Sequence, residues 1–313
     1  MPETIRWTYM DHWRTDSPSG PIDHFHSRRA MRDFARQVVA VGFEAIDTFD
    51  FRFWQILEQY GSLTNFQEFL QEQGLARIVN IFHGVNMDPS WYAPEVPETH
   101  PRILEDFRTT MERWSELELD HIIVMPGTRN FDPAGISDDA IKRAAELWSR
   151  VGEITAAHGV KLGAHHEFYG GIRTRHHLDV FYGNSDPRYV HFFLDTAQHT
   201  IVGDDPVELY EAFHDRVSCL HFKDTLNVDT NEDWRRFPDA EVNGKTTARW
   251  FYEMGRADGL VDFEALMRAL KAHGFSGWLS VEHDKANKLG GDYAESTAVA
   301  AWYAKNVLER IYT

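Results

Sequence analysis

The sequence predicts a single (β/α)8 barrel over residues 1–313, with one long loop after the seventh strand. Short β-rich runs alternate with longer helical patterns eight times along the chain. The runs have the apolar, β-branched or aromatic make-up of strands covered on both faces, as parallel strands flanked by helices are. The length also suits such a barrel, whose usual size is roughly 250 residues plus insertions. A doubly wound open sheet is the main competitor. It is disfavoured because WTYMDHWRTDSPSGP, not a glycine-rich phosphate loop, stands at the first run and after it.

The eight runs, in order, are TIRWTYM (4–10), FEAIDTF (43–49), ARIVNIF (76–82), HIIVMPG (121–127), VKLGAHHEF (160–168), YVHFFLD (189–195), VSCLHF (217–222) and GWLSVEH (277–283). Between them, residues 28–43 place Met31, Phe34, Ala35, Val38 and Val39 on one helical stripe. Residues 137–159 open on Ser137 and two acids and close on Gly159, the start and stop signals of a helix. Residues 205–216 and 262–274 repeat the design, and 293–312 reads as a closing helix. The longest irregular stretch is 223–259, and a loop of that length usually carries a function. No linker divides the chain.

A net charge of −17 opposes nucleic-acid and anionic-membrane partners, which would be repelled at encounter. The one cysteine, Cys219, fits a reducing compartment. No basic start followed by an apolar stretch suggests a signal peptide, and no apolar run reaches the ~20 residues that span a bilayer. A cytoplasmic protein is expected.

In a (β/α)8 barrel the chemistry sits where strands end at the C-terminal face. The fifth run ends on His165, His166 and Glu167; the sixth on Asp195; the seventh carries His221; the eighth ends at Glu282. Strand alternation puts Glu167 on the face of His165 and Gly163, with His166 on the other. Three carboxylates and an imidazole converging without compensation would repel one another and be expensive to desolvate. A divalent cation resolves that conflict, and three oxygens with one nitrogen suit Mn²⁺ foremost, with Mg²⁺, Co²⁺, Fe²⁺ or Zn²⁺ as alternatives.

The segments HEFYGG, LDTAQH, HFKD and GWLSVEHD resemble the fifth to eighth strands of the xylose isomerase-like barrels, a superfamily of sugar isomerases, ketose 3-epimerases and inosose dehydratases. That resemblance implies Glu167, Asp195, His221 and Glu282 as the metal ligands. Within the superfamily, IRTR, HFKDT and VEHDKA look most similar to the α subunits of C-glycoside deglycosylases, which act on 3-oxo-glycosides beside a small β subunit. Two departures stand out: Gln198 occupies the position where the epimerases keep a histidine, and Tyr169 the place of another.

A cation chelating a carbonyl and its neighbouring hydroxyl favours loss of the α-proton. Return of the proton gives an epimer or isomer; expulsion of a β-substituent gives a dehydratase or a glycoside-cleaving lyase. His165 is the first candidate to carry the proton, with Tyr169, Glu167 and Glu282 as others, and an orienting role for His165 is the alternative. Arg173, Lys223, His83, His199 and Lys285 are candidate substrate-binding residues. Lys223 and Asp224 alternatively serve a local salt bridge, and Trp7 on the first strand is read as lining the pocket, with core packing as the alternative. The reading is thus a metal-dependent lyase cleaving the C-glycosidic bond of 3-oxo-glycosides, with a keto-sugar isomerase, epimerase or inosose dehydratase as the alternative. The expected partners are a sugar or aryl glycoside and either a small β subunit or a second copy of the chain. An abasic-site endonuclease of the same barrel type is opposed by the charge. A non-catalytic barrel using 223–259 as an interface, with Trp234, Trp250, Phe251 and Tyr252 near it, is the rival from another class.

Overall fold

A computed structural model describes residues 4–11, 23–84, 90–128, 135–228, 251–256, 258–282 and 293–313. Eight parallel strands close into a barrel: β1 (Ile5–Met10), β2 (Ala45–Phe49), β3 (Ile78–His83), β4 (His121–Val124), β5 (Lys161–His165), β6 (Val190–Asp195), β7 (Val217–Phe222) and β10 (Gly277–Val281). The ring runs β1-β10-β7-β6-β5-β4-β3-β2, so that β1 pairs with both β2 and β10. The expected (β/α)8 barrel is the observed one.

Helices form where the sequence signals them. Ser27, Ser137 and Asp262 each accept a hydrogen bond from a backbone N–H two to three residues into the following helix, satisfying donors that no helical carbonyl reaches. The helix Asp138–Ala156 also carries Asp138 and Asp139 in its first turn, where the helix dipole favours negative charge. The closing helix is interrupted: Tyr293–Tyr303 is followed by a π-helical turn, Ala304–Leu308, before Glu309–Tyr312.

Strand alternation creates two cores. Outward side chains such as Ile46, Leu162, Phe192, Leu220 and Leu279 pack against helix residues including Phe34, Phe107 and Trp148. Inward, Met10, Phe82, Ile123, Phe193, Cys219 and Trp278 fill the barrel. Each large apolar side chain so buried contributes roughly 1.5–3 kcal/mol. A polar belt crosses the interior beneath the C-terminal mouth. Thr8 Oγ1 and Asn80 Nδ2 each donate to Asp47 at 3.0 Å, Asn80 Oδ1 meets His121 Nδ1 at 2.8 Å, and His121 Nε2 meets Ser218 Oγ at 2.9 Å. Burial raises the Asp47 carboxyl against its hydrogen-bond donors and holds His121 well below the ordinary imidazole value.

Two strands end earlier than the apolar runs suggest. β4 stops at Val124 and β5 at His165, because the β5–β6 ladder closes at His165 opposite Phe193 and the chain then turns. Glu167 O accepts from Gly170 N at 2.8 Å, which folds the HHEFYGG segment back over the mouth. Glu167 and Glu282 therefore lie just past their strands rather than on them.

The segment after β7 is not wholly irregular. A two-stranded antiparallel ribbon pairs β8 (Asp224–Thr225) with β9 (Phe251–Tyr252). Asp224 Oδ1 accepts from Thr225 N at 2.8 Å and Val261 N at 3.2 Å. A Cβ on Gly259 would meet Asp224 Oδ2 at 1.8 Å, so glycine is required there for the backbone to reach the carboxylate. Burial lifts the Asp224 carboxyl to about 6 despite these donors.

The barrel wall tolerates little extra volume where helix and strand backbones meet. A Cβ on Gly152, in the helix Asp138–Ala156, would lie 2.4 Å from Tyr189 O. Gly152→Leu should destabilise the protein by about 1–3 kcal/mol through overpacking, read as a lower urea midpoint with an unchanged slope. An unchanged midpoint would contradict the close packing of these two backbones.

Candidate metal centre

The mouth gathers titratable side chains from β5, β6, β7 and β10. His165, Asp195, His221 and Glu282 are all buried, and each offers one ligand atom within 4.8 Å of the others. His221 Nδ1 lies 2.8 Å from Glu282 Oε2, 3.5 Å from Asp195 Oδ2 and 3.1 Å from His165 Nε2. His165 Nε2 is 3.2 Å from Asp195 Oδ2. Three of the four expected ligands thus converge, joined by His165. Glu167 stands beside them, with Oε1 3.4 Å from His165 Nδ1, while its Oε2 accepts from Gln198 Nε2.

The elements explain the convergence. Asp195 ends β6 and caps the helix Thr196–Ile201 with Oδ1, which accepts from Gln198 N at 2.9 Å, leaving Oδ2 for the cluster. In the ladders, Asp195 is level with His221, and His165 with Phe193. Gly163 lies below His165 on the inward face of β5, where a Cβ would come within 3.0 Å of the Phe193 ring. Phe193 in turn stands edge-on to His221 with centroids 4.6 Å apart.

Lys223 adds a cation to this group. Its Nζ is 3.0 Å from Asp195 Oδ2 and 2.8 Å from Glu282 Oε2, and lies 4.2 Å from the Phe251 ring centroid. Burial alone would raise the Asp195 carboxyl, but Lys223 and the two histidines outweigh it and hold it well below the usual range. Burial likewise opposes a charge on His221, yet Glu282 and Asp195 bring it up to about 10. At His165 burial prevails, and the ring stays below the ordinary imidazole value.

The donor set fits a divalent cation. Two imidazoles and two carboxylates on four different strands suit a borderline-soft ion, and Glu167 is near enough to supply a further oxygen. Gln198 was visible in the sequence only as a departure from the epimerases; its link to Glu167 could not be read there. The polar belt of Asp47, Asn80 and His121 was also missed, although inward parity on β2, β3 and β4 is the signal that would have found it.

Other expected site residues are placed elsewhere. His83 lies on the outer face of β3, turned by alternation away from the mouth that Phe82 faces, and His199 is buried in the helix Thr196–Ile201 that follows β6. His199 packs against His166 and Phe192, with centroids 6.0 Å and 5.5 Å away. His166 also faces outward, as alternation predicts, meeting Ile172 O at 2.9 Å and Tyr182 Oη at 3.0 Å. Arg173 is buried behind the HHEFYGG turn and donates from Nη1 to Phe168 O at 2.8 Å. Tyr169 is half-buried against the inner apolar core at the mouth. Trp7 packs on the outer side of β1 and donates to Glu309 Oε1 at 2.9 Å. Lys285, Trp234 and Trp250 lie outside the described residues.

A closed parallel barrel with a buried imidazole–carboxylate cluster at its C-terminal mouth defines a (β/α)8 protein whose mouth offers a donor set that could hold a cation. The chain belongs to the xylose isomerase-like TIM barrel family, whose pattern matches residues 35–304. It is 27% identical over 157 residues to an inosose dehydratase of Lacticaseibacillus casei, a match covering 49% of this chain and 50% of that protein. The chain therefore spans about half the length of the curated relatives it matches. Its fold is shared by an L-ribulose 3-epimerase, with a TM-score of 0.69, 15% identity and coverage of 99% and 96% of the two chains. It is shared equally by the IOLI protein with a bound zinc atom, with a TM-score of 0.67, 17% identity and coverage of 98% and 99%. Among the described residues no helix is long and apolar enough to cross a membrane.

His83 makes a separate buried ion cluster, with Nδ1 3.2 Å from Asp50 and Nε2 2.7 Å from Asp106. Burial disfavours the imidazolium, but the two carboxylates outweigh it and raise His83 from 6.5 to about 9. The folded-state value lies above the unfolded one, so this stabilisation is complete below pH ~6.5 and is lost as pH rises through about 9. Its size is about 3 kcal/mol, taking 1.36 kcal/mol per unit. His83→Gln should remove this component from a plot of urea midpoint against pH between 6.5 and 9; a variant as pH-sensitive as the parent would refute it.

Proposed function

We propose that this protein is a divalent-metal-dependent enzyme that removes the proton next to the carbonyl of a keto-sugar or keto-cyclitol. The observation that carries this reading is the convergence of His165, Asp195, His221 and Glu282 within 4.8 Å at the barrel mouth, with Glu167 alongside. A divalent cation bound there would polarise the carbonyl and stabilise the negative charge left by proton loss. His165 and Glu167, 3.4 Å apart, are the pair suited to accept and carry that proton. Lys223 offers an ammonium that can donate to a substrate oxygen at the same rim. The inner core of Met10, Phe82 and Met125, with Tyr169 against it, supplies an apolar wall beside His165, and a low-polarity surrounding strengthens each of these interactions.

Two outcomes follow from one proton abstraction. In a dehydratase the C–H bond breaks, the electron pair forms the new C=C, and a β-hydroxyl leaves as water after taking a proton from the acid. The inosose dehydratase relatives favour this outcome. In a lyase the β-substituent that leaves is a glycosidic aglycone. A row of rings favours an aryl group there: Phe82 stands 5.1 Å from His165, Phe49 6.1 Å from Phe82, and Phe51 stacks on Phe49 at 5.1 Å and is 39% exposed. Such a face suits the flat apolar side of an aryl 3-oxo-glycoside better than a free polyol, whose hydroxyls need partners on every side.

The test combines metal analysis with ¹H-NMR of keto-sugars, inososes and aryl 3-oxo-glycosides in D₂O. The expected result is cation-dependent loss of the signal from the carbon beside the carbonyl, with water or aglycone release deciding between the outcomes. Asp195→Asn and Glu282→Gln should each lower cation affinity by at least roughly 100-fold and abolish exchange. A protein that binds no divalent cation, or that exchanges equally well with chelator present, overturns the reading.

A further inference from the structure

Gln198 touches both carboxylates that flank His165, and it takes one oxygen from each. Its backbone N–H donates to Asp195 Oδ1 at 2.9 Å, and its side-chain Nε2 donates to Glu167 Oε2. The oxygens left over, Asp195 Oδ2 and Glu167 Oε1, are the two that face His165, at 3.2 Å and 3.4 Å. The third bond removes any ambiguity of the amide. Gln198 Oε1 accepts from Phe168 N at 2.9 Å, so the NH₂ end must point at Glu167. Gln198 is 2% exposed, which leaves no water to take over either contact.

We propose that Gln198 is a positioning residue that makes Glu167 a single-oxygen donor toward the cluster, presenting Oε1 and withholding Oε2. The inference rests on the cation-binding reading of the site and deepens it. A residue serving this role must donate at one end and accept at the other, since Phe168 N–H and a carboxylate lie on its two sides. A carboxylate at position 198 would face Glu167 with like charge, and an apolar side chain would leave both Glu167 Oε2 and Phe168 N without their buried partner. Thus the amide does not merely stand in for the histidine of the epimerases. It ties the turn after β5 to the helix after β6 and fixes which oxygen of each acid points inward.

Two variants of similar volume separate the bonds. Gln198→Met removes both side-chain bonds and keeps the backbone bond to Asp195. Gln198→Glu keeps the acceptor for Phe168 N and removes the donor to Glu167. The readouts are Mn²⁺ affinity by calorimetry and the visible absorption spectrum of the Co²⁺-loaded protein, with circular dichroism as the check on folding. Both variants should bind Mn²⁺ roughly 10–100-fold more weakly and shift the Co²⁺ bands, as expected when the partner orienting a ligand is lost. In a Glu167→Gln background, Gln198→Met should add no further loss. Affinities within about twofold of the parent with an unchanged Co²⁺ spectrum would overturn the proposal, as would unfolding of both variants, which would make Gln198 a purely structural residue. Failure of the parent protein to bind either ion would instead overturn the reading of the site itself.

Discussion

The structure is organised around one electrostatic constraint: Asp195, Glu282 and Glu167 are brought together, nearly out of reach of water, at the mouth of the barrel. Carboxylates so placed are tenable only if other groups answer their charge and saturate their lone pairs. His221 and Lys223 answer Glu282 and Asp195 at 2.8–3.0 Å. The N–H groups of Gln198 take the outer oxygens of Asp195 and Glu167. What remains facing the mouth is a compact set of imidazole and carboxylate donors of the kind a divalent ion can bridge.

The barrel contributes the rigidity that this arrangement demands. Three strands carry His165, Asp195 and His221, and Glu282 follows the end of a fourth directly, so the geometry is set largely by parallel registers. The polar belt below, from Thr8 and Asp47 through Asn80 to His121, links β1 to β4 strand by strand, and His121 reaches on to Ser218 of the non-adjacent β7. Barrel interiors filled only by apolar groups can slip among similar packings. Directional hydrogen bonds at the centre favour a single one.

Much of this was legible in the sequence because strand periodicity is simple. Eight apolar runs implied the barrel, and the acids and histidines at the ends of the last four identified the rim. The same two-residue period put His165 inward and His166 outward. It was not applied to His83, whose phase turns it to the outer layer, and it cannot reach His199, which lies in the helix after β6. Register was a further limit. The β2–β3 ladder shifts after Ile46 and the β6–β7 ladder after Phe192, and no local pattern announces either irregularity. The early end of β5 is likewise a tertiary effect, since KLGAHHEF is equally apolar on both sides of it. Gln198 shows the deepest limit, because its role depends on the direction of one amide reaching from the helix after β6 to the turn after β5.

The ribbon after β7 has a bearing on how such proteins diversify. Thr225 and Phe251 are paired across the two strands, so the intervening chain departs from and returns to a single point. Asp224 fastens that point to the backbone at Val261, and β7 with His221 lies immediately before it. A segment joined at one closed neck can be lengthened, shortened or exchanged with only a small entropic cost and without disturbing the strand that bears the histidine. The neck beside Lys223 is therefore a natural junction for grafting, at which sequences can be exchanged while the strand that bears His221 is kept.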